Sequence, residues 1–286
     1  MFKSINLDDK ILSSEKFKKD EISFTLIPYL IKNKERYPDI RCYSDGNDCV
    51  ILNTDVNHPV VVWTSSDFSD YESLACFLYE NFSDNQPLTL TTKNDIYKFF
   101  YDKNLVADFD NVRILGVYKC EKLNQIEKNG YIDTAKPEET ETIAKMLQSF
   151  DNEALPEEQH PFSFYLEKAQ SFINCKDTHK VWRDKNTDIT SIACFTQVEK
   201  NAKIGAVYTV PEKRGKSYAK MLIHELSEII LDMNLIPILY TNFQYEPSNK
   251  CYKAIGFKLL NTICSYNVQK FYNNFYQIHW FNKYDA

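Results

Sequence analysis

One stretch, residues 203–240, constrains the fold more than any other. Lys203–Val210 has the length and apolar content of a strand, and a tight polar loop follows it. A long helix is expected from about Arg214 to Met233, because Ala219, Leu222, Ile223, Leu226, Ile229, Ile230 and Met233 fall on one helical stripe. A face of that kind packs on a sheet. A second strand, Ile236–Tyr240, comes next. His224, between Ile223 and Glu225, reads as a surface residue of the helix.

The elements around this stretch extend the pattern. After it come a short helix at Ser248–Ile255 and a strand at Phe257–Cys264, and the aromatic tail Phe271–Trp280 could add a last strand. Before it lie strands at Lys180–Arg183 and Ile189–Val198, and helices at Pro137–Phe150 and Pro156–Ile173. Thr134 is the expected cap of the first of these helices, with Pro137 at an early helical position. Tyr131–Ala135 is a short strand. The N-terminal half reads as mixed α/β: helices at Glu21–Arg36 and Tyr71–Phe82, strands at Cys49–Leu52, Val60–Trp63, Leu88–Thr91 and Val112–Tyr118. It carries no catalytic motif.

A chain of 286 residues suits two domains better than one. The polar stretch Glu121–Lys136, with Gly130 and Pro137 near its end, places the boundary near Asn129, giving domains 1–129 and 130–286. A net charge of −6 argues against general nucleic-acid binding. The eight cysteines form no C-x-x-C pair and histidine is scarce, so no zinc site is expected. Met1–Lys10 lacks the apolar core of a signal peptide, and no run approaches the length of a membrane span. The expectation is a cytoplasmic protein with free, mostly buried thiols and no membrane partner.

The loop before the long helix carries the chemistry. A helix start offers unpaired N–H groups and a positive dipole end, which together suit an anion. Gly215 lets backbone approach a phosphate closely. Lys213, Arg214, Lys216 and Lys220 surround the site in an otherwise acidic chain. From spacing alone, a diphosphate site and a solvated basic cluster remain equal readings. Tyr252 likewise reads from spacing as a core aromatic on its short helix.

Two motifs carry a resemblance. Arg214-Gly-Lys-Ser-Tyr-Ala219 resembles the R-x-x-G-x-G/A loop of the GNAT (Gcn5-related) N-acetyltransferases, with Ser217 at the first motif glycine. Downstream, Ser248, Asn249, Tyr252, Gly256 and Phe257 are similar to that family's S-N-x-x-Y-x-x-x-G-F. The resemblance covers about Tyr131 to Tyr266. It implies an α/β fold with a mixed, mostly antiparallel sheet flanked by helices. The N-terminal domain would then be of unassigned role, shaping the acceptor cleft or a dimer contact, or a degenerate copy of the same fold.

The resemblance also implies acetyl-CoA as co-substrate. Its pyrophosphate would lie on Arg214, Gly215, Lys216, Ser217, Tyr218 and Ala219. Its pantetheine arm would lie along Tyr208, Thr209 and Val210, with Asn249 touching the arm. Tyr252 would be the general acid toward the leaving thiolate, and a backbone N–H near Val210 would polarise the thioester carbonyl. The acceptor would be a small-molecule or peptide amine attacking directly in a ternary complex. Strand 203–210 offers no carboxylate as base, and Glu157, Glu158, Glu167 and Glu246 read as surface charges. The rival is a non-catalytic acyl-CoA-binding or sensing module. Strand pairing or the aromatic tail could support a homodimer.

Overall fold

The computed structural model describes residues 1–56, 58–82, 88–106, 112–154 and 160–268. The chain divides into two compact units. One comprises Met1–Leu115 together with the chain from Asn261 onward, and the other comprises Gly116–Leu260. The boundary expected near Asn129 falls inside the second unit.

The first unit begins with β1 (Lys3–Ser4), α1 (Glu15–Asp20), α2 (Leu26–Lys32), β2 (Arg41–Ser44), β3 (Cys49–Asn53) and β4 (Val60–Thr64). It continues with α3 (Tyr71–Phe82), β5 (Leu88–Lys93) and α4 (Asn94–Asp102). The chain passes into the second unit within β6 (Arg113–Lys119). There follow β7 (Tyr131–Asp133), α5 (Thr140–Ala154), α6 (Phe162–Asn174), β8 (His179–Arg183), β9 (Ile189–Val198) and β10 (Asn201–Thr209). Next are α7 (Tyr218–Asp232), β11 (Ile236–Asn242) and α8 (Glu246–Ile255), and the chain returns to the first unit within β12 (Lys258–Val268).

Each unit builds the same sheet. In the first, the strand order is β1-β2-β3-β4-β5-β12: β1 to β4 pair antiparallel, β5 runs parallel to β4, and β12 pairs antiparallel with β5. In the second, the order is β7-β8-β9-β10-β11-β6: antiparallel from β7 to β10, then β11 parallel to β10. The mixed, mostly antiparallel sheet expected for the C-terminal half is therefore present twice. The N-terminal half repeats the topology, with its sixth strand drawn from the far end of the described chain.

The cores follow from patterning. In the second unit, Ile204 and Leu239 pack with Leu222 and Leu226 of α7 and Tyr252 of α8 on one side of the sheet. On the other side, Ile192 and Tyr208 pack with Ile143 and Leu147 of α5 and Tyr165 and Phe172 of α6. In the first unit, Ile51, Val62, Leu74, Leu78, Phe100 and Tyr266 share one core.

Several expectations need correction. The helix expected from Arg214 starts at Tyr218, because Gly215 (φ 77°) and Ser217 (φ 63°) are left-handed and cannot belong to an α-helix. Met233 follows the helix and is exposed. His224 is buried, not on the surface: Asn124 O lies 3.0 Å from its Nε2. Thr134 does not cap α5. Instead, the Lys136 N–H donates to Glu139 Oε2 at 2.7 Å, and Pro137 opens a short 3-10 turn. The single helix expected over Glu21–Arg36 breaks into 3-10 turns on either side of α2, since Pro28 has no N–H to continue a helix from Phe24. Pro156, Glu157, Glu158 and the Phe271–Trp280 tail lie outside the described residues. No helix among the described residues is long and apolar enough to cross a membrane.

Candidate functional site

The site grows from a defect in β10. Its register against β9 slips between Gly205 and Tyr208, where Ala206 takes φ 50°. A bulge of this kind bends and twists a strand. β10 pairs with β11 from Asn201↔Ile236 to Ile204↔Leu239, although β10 runs on to Thr209 and β11 to Asn242. Beyond Ile204 the two strands diverge, leaving a wedge between them.

Ladder alternation decides which backbone groups line that wedge. Val210 N–H donates to Thr190 O of the β9 side at 3.0 Å, and Tyr208 lies opposite Ile192. Backbone groups of an antiparallel strand alternate between its two edges. Tyr208 and Val210 therefore bond toward β9, and Thr209 turns its N–H toward the wedge; Val207, inside the slip, lines the cleft beside it. The polarising N–H expected near Val210 is thus not that of Val210, whose hydrogen is already committed.

The wedge opens into a cleft of about 380 Å³. Val207, Tyr208 and Thr209 form one wall. The loop from Lys213 and the first turn of α7 form the second, and Pro247, Ser248, Cys251 and Tyr252 of α8 form the third. Ser217 is the N-cap of α7 with no side-chain cap bond. The N–H groups of Tyr218, Ala219 and Lys220 therefore face the cleft as the free first donors of a helix. Ser217 accepts the left-handed conformation that glycine takes freely, at a cost of roughly 1–2 kcal/mol. Gly215 is left-handed too, with open space where a Cβ would sit.

The basic cluster splits by partner. Lys213 Nζ lies 2.7 Å from Asp184 and 3.2 Å from Asp188, so its charge is balanced. Arg214 reaches Glu153 at 2.7 Å and donates from Nε to Thr209 O at 3.0 Å. Lys216 and Lys220 have no acidic partner among the described residues. Lys220 lines the cleft, and Lys216 is exposed beside it.

On α8 two motif residues part ways. The amide of Asn249 donates to the carbonyls of Asn242, Phe243 and Tyr245 at 2.8–3.0 Å, and its oxygen accepts from Tyr118 Oη at 2.7 Å. It clamps the turn between β11 and α8 and does not line the cleft. Tyr252 does line it. Its ring is buried and its hydroxyl has no hydrogen-bond partner among the described residues. Burial pushes its pKa well above the usual phenol value, so it is a protonated donor. Burial also pushes the neighbouring Cys251 thiol up to about 11, which leaves it a poor nucleophile at neutral pH.

Of the residues expected from sequence, the structure gathers Tyr208, Thr209, Arg214, Gly215, Ser217, Tyr218, Ala219 and Tyr252 around one cleft. Val210, Lys216 and Asn249 lie outside its lining. Val207, Glu153, Tyr245 and Cys251 line it without having been expected. Val207 was legible in principle, since residues separated by one, as it is from Thr209, share an edge in a regular strand.

Residues 186–265 match the model of the "FR47-like protein" family, which is GNAT-related. Solved structures match nearly the whole chain. A GCN5-related N-acetyltransferase from Sphaerobacter thermophilus aligns at 11% identity and a TM-score of 0.63, over 93% of this chain and 94% of that one. A GNAT-family acetyltransferase from Colwellia psychrerythraea aligns at 14% identity and TM-score 0.55, over 94% and 100%. A tandem GNAT protein from the clavulanic acid biosynthesis pathway aligns at 10% and 0.58, over 96% and 99%. No curated protein sequence matches the chain. The likeness runs through both units, and the chain has the GNAT fold.

Proposed function

We propose that this GNAT-fold chain is an N-acyltransferase whose second unit moves the acetyl group of acetyl-CoA to an amine. The observation that carries the reading is the wedge between β10 and β11, with an uncapped, basic helix start at its mouth and the unpartnered Tyr252 hydroxyl on its wall.

The pyrophosphate would rest on the N–H groups of Tyr218, Ala219 and Lys220, with Arg214, Lys216 and Lys220 supplying charge. The pantetheine arm would lie along the free edge of β10 and bond Val207 and Thr209 as an added strand would. The Thr209 N–H is the backbone donor available to polarise the thioester carbonyl. Asn249 acts indirectly, by fixing the turn that places α8.

The amine nitrogen attacks the thioester carbon, the C–N bond forms and the C–S bond breaks. The departing sulfur takes the Tyr252 proton, the amine loses one proton to solvent, and solvent returns a proton to the Tyr252 phenolate, whose raised pKa favours recapture. Direct attack suits the site better than a cysteine acyl-enzyme, because Cys251 is held as the neutral thiol.

Thermal unfolding with acetyl-CoA and with CoA tests the reading. A ligand at ~100 times its Kd stabilises by about 2.7 kcal/mol when it binds only the folded state. A rise in Tm with both ligands, followed by amine-dependent release of free thiol, is the expected outcome. No shift at millimolar ligand sinks the reading. A shift without amine-dependent release at any acceptor favours the non-catalytic binding module.

A further inference from the structure

Lys203 stands out among the charged residues of the second unit. It lies on β10 opposite Ile238 of β11, on the face away from Ala202, Ile204 and Leu239, which pack under α7. Its Nζ sits 4.3 Å from the centroid of the Tyr240 ring. Tyr240 is the first residue of β11 past the last paired position, Leu239. The ammonium therefore sits where β10 and β11 begin to diverge, on the sheet face away from α7 and outside the lining of the cleft, the side from which an acceptor would meet an acyl group held in the wedge.

This cation is only partly exposed, and among the described residues no carboxylate pairs with it. Burial lowers its pKa, and no acidic neighbour pulls the other way. Across β9, Thr196 faces it, a neutral residue. The chain carries 40 acidic residues, so an unbalanced ammonium here is a cost with no structural return. The aromatic face of Tyr240 recovers part of it. An incoming anion would recover the rest, in surroundings that strengthen a charge-assisted bond. One ammonium balances one carboxylate, whereas a phosphate dianion would call for a second cation.

We propose that Lys203 binds the carboxylate of the acceptor, so that the amines this site takes are free amino acids. The inference rests on the transferase reading above. With its carboxylate held by Lys203, the amino group of such an acceptor lies two bonds away, within reach of a thioester at the wedge apex.

The test uses the full chain, acetyl-CoA, the standard amino acids and their carboxamides, with 2-aminoethyl phosphate as a second anion. At least one free amino acid is expected to be acetylated, and its amide to lose roughly 10- to 100-fold in kcat/KM, the range for a hydrogen bond to a charged group. Lys203→Met is expected to raise KM for the acid by a similar factor, to erase the preference for acid over amide, and to leave the Tm shift with CoA unchanged. Lys203→Arg, which keeps the charge, should restore much of the preference. That rescue separates an anchor from a general base, which arginine could not replace. The proposal is overturned if amides serve as well as acids, if 2-aminoethyl phosphate is preferred, if no amino acid is acetylated although CoA stabilises the chain, or if Lys203→Met leaves the preference intact. If neither acetyl-CoA nor CoA shifts Tm, the transferase reading fails and takes this assignment with it. The two failures are told apart by the CoA shift alone.

Discussion

Tyr252 and Asn249 sit three residues apart on α8, and both stand at motif positions, yet only one is free to react. Asn249 uses both amide hydrogens and its oxygen on the protein itself, whereas the Tyr252 hydroxyl has no partner among the described residues. Replacing Tyr252 by Phe should lower kcat by about 10²- to 10⁴-fold, the usual worth of a general acid, and leave CoA affinity unchanged. The pH dependence has a definite sign. Burial raises the Tyr252 pKa above the ordinary value of about 10, so the donor stays protonated and loss of its proton gives no alkaline fall in kcat below that pH. A wild-type limb near pH 8 that vanished in Tyr252→Phe would mean that Tyr252 titrates there and would overturn its raised pKa, whereas an unchanged kcat in Tyr252→Phe would sink the acid assignment. At this scale sequence served where function imposes local pattern, as in the loop from Arg214 to Ala219. It could not show that the Val210 N–H is spent, because that depends on Thr190, twenty positions earlier.

At the scale of elements, the second unit was legible almost strand by strand. β9 has the bounds expected, and β8, β10 and β11 start or end within two residues of expectation. The bulge at Ala206 was not legible, since nothing in an alanine announces a left-handed φ. Nor was the way β7, β8 and the start of α5 are joined. Arg183, almost wholly buried, bonds Asp133 at 2.6 Å and both Glu139 oxygens at 2.8 and 2.9 Å. The Arg183 guanidinium holds the Glu139 carboxyl below its usual range. A depressed carboxylate contributes stability that is complete above its unfolded value of about 4.3 and is lost as pH falls through the folded one. Urea midpoints should therefore drop between about pH 5 and 3. Glu139→Gln should be less stable at pH 7 and flatten that drop. An unchanged slope in the variant would remove Glu139 from the acid response.

The two units repeat one topology, but among the described residues only the second has a basic, glycine-containing loop ahead of the helix that follows its fourth strand, the loop proposed above to hold the pyrophosphate. Between β4 and α3 the loop Ser65–Asp70 has no glycine and no basic residue, and the Asp70 carboxylate accepts from Ser73 N–H at 3.2 Å. An aspartate already occupies the helix start that a phosphate would need. The units also differ in how they are closed. The first takes its sixth strand from residues that follow the entire second unit, with Ile263↔Lys93 through Val268↔Leu88 as the pairing. That exchange was illegible in sequence, where the polar stretch after Glu121 looked like a simple divide, because strand partners about 170 residues apart leave no local trace. It makes a sharp prediction about fragments. Residues 116–260 form one continuous unit holding the whole cleft, so that fragment should fold, bind CoA at one site per chain, and show the same Tm shift as the full protein. Residues 1–129 should not fold alone: without β12, strand β5 has an open edge, and the core loses Cys264, Tyr266 and Val268. Circular dichroism and dye binding would report an expanded, sticky chain, and a peptide spanning 258–268 added in trans should restore order. If fragment 1–129 folded cooperatively without the peptide, β12 would be an accessory of that unit and not a part of it. Two CoA molecules bound per full chain would mean that the first unit has a site despite Asp70.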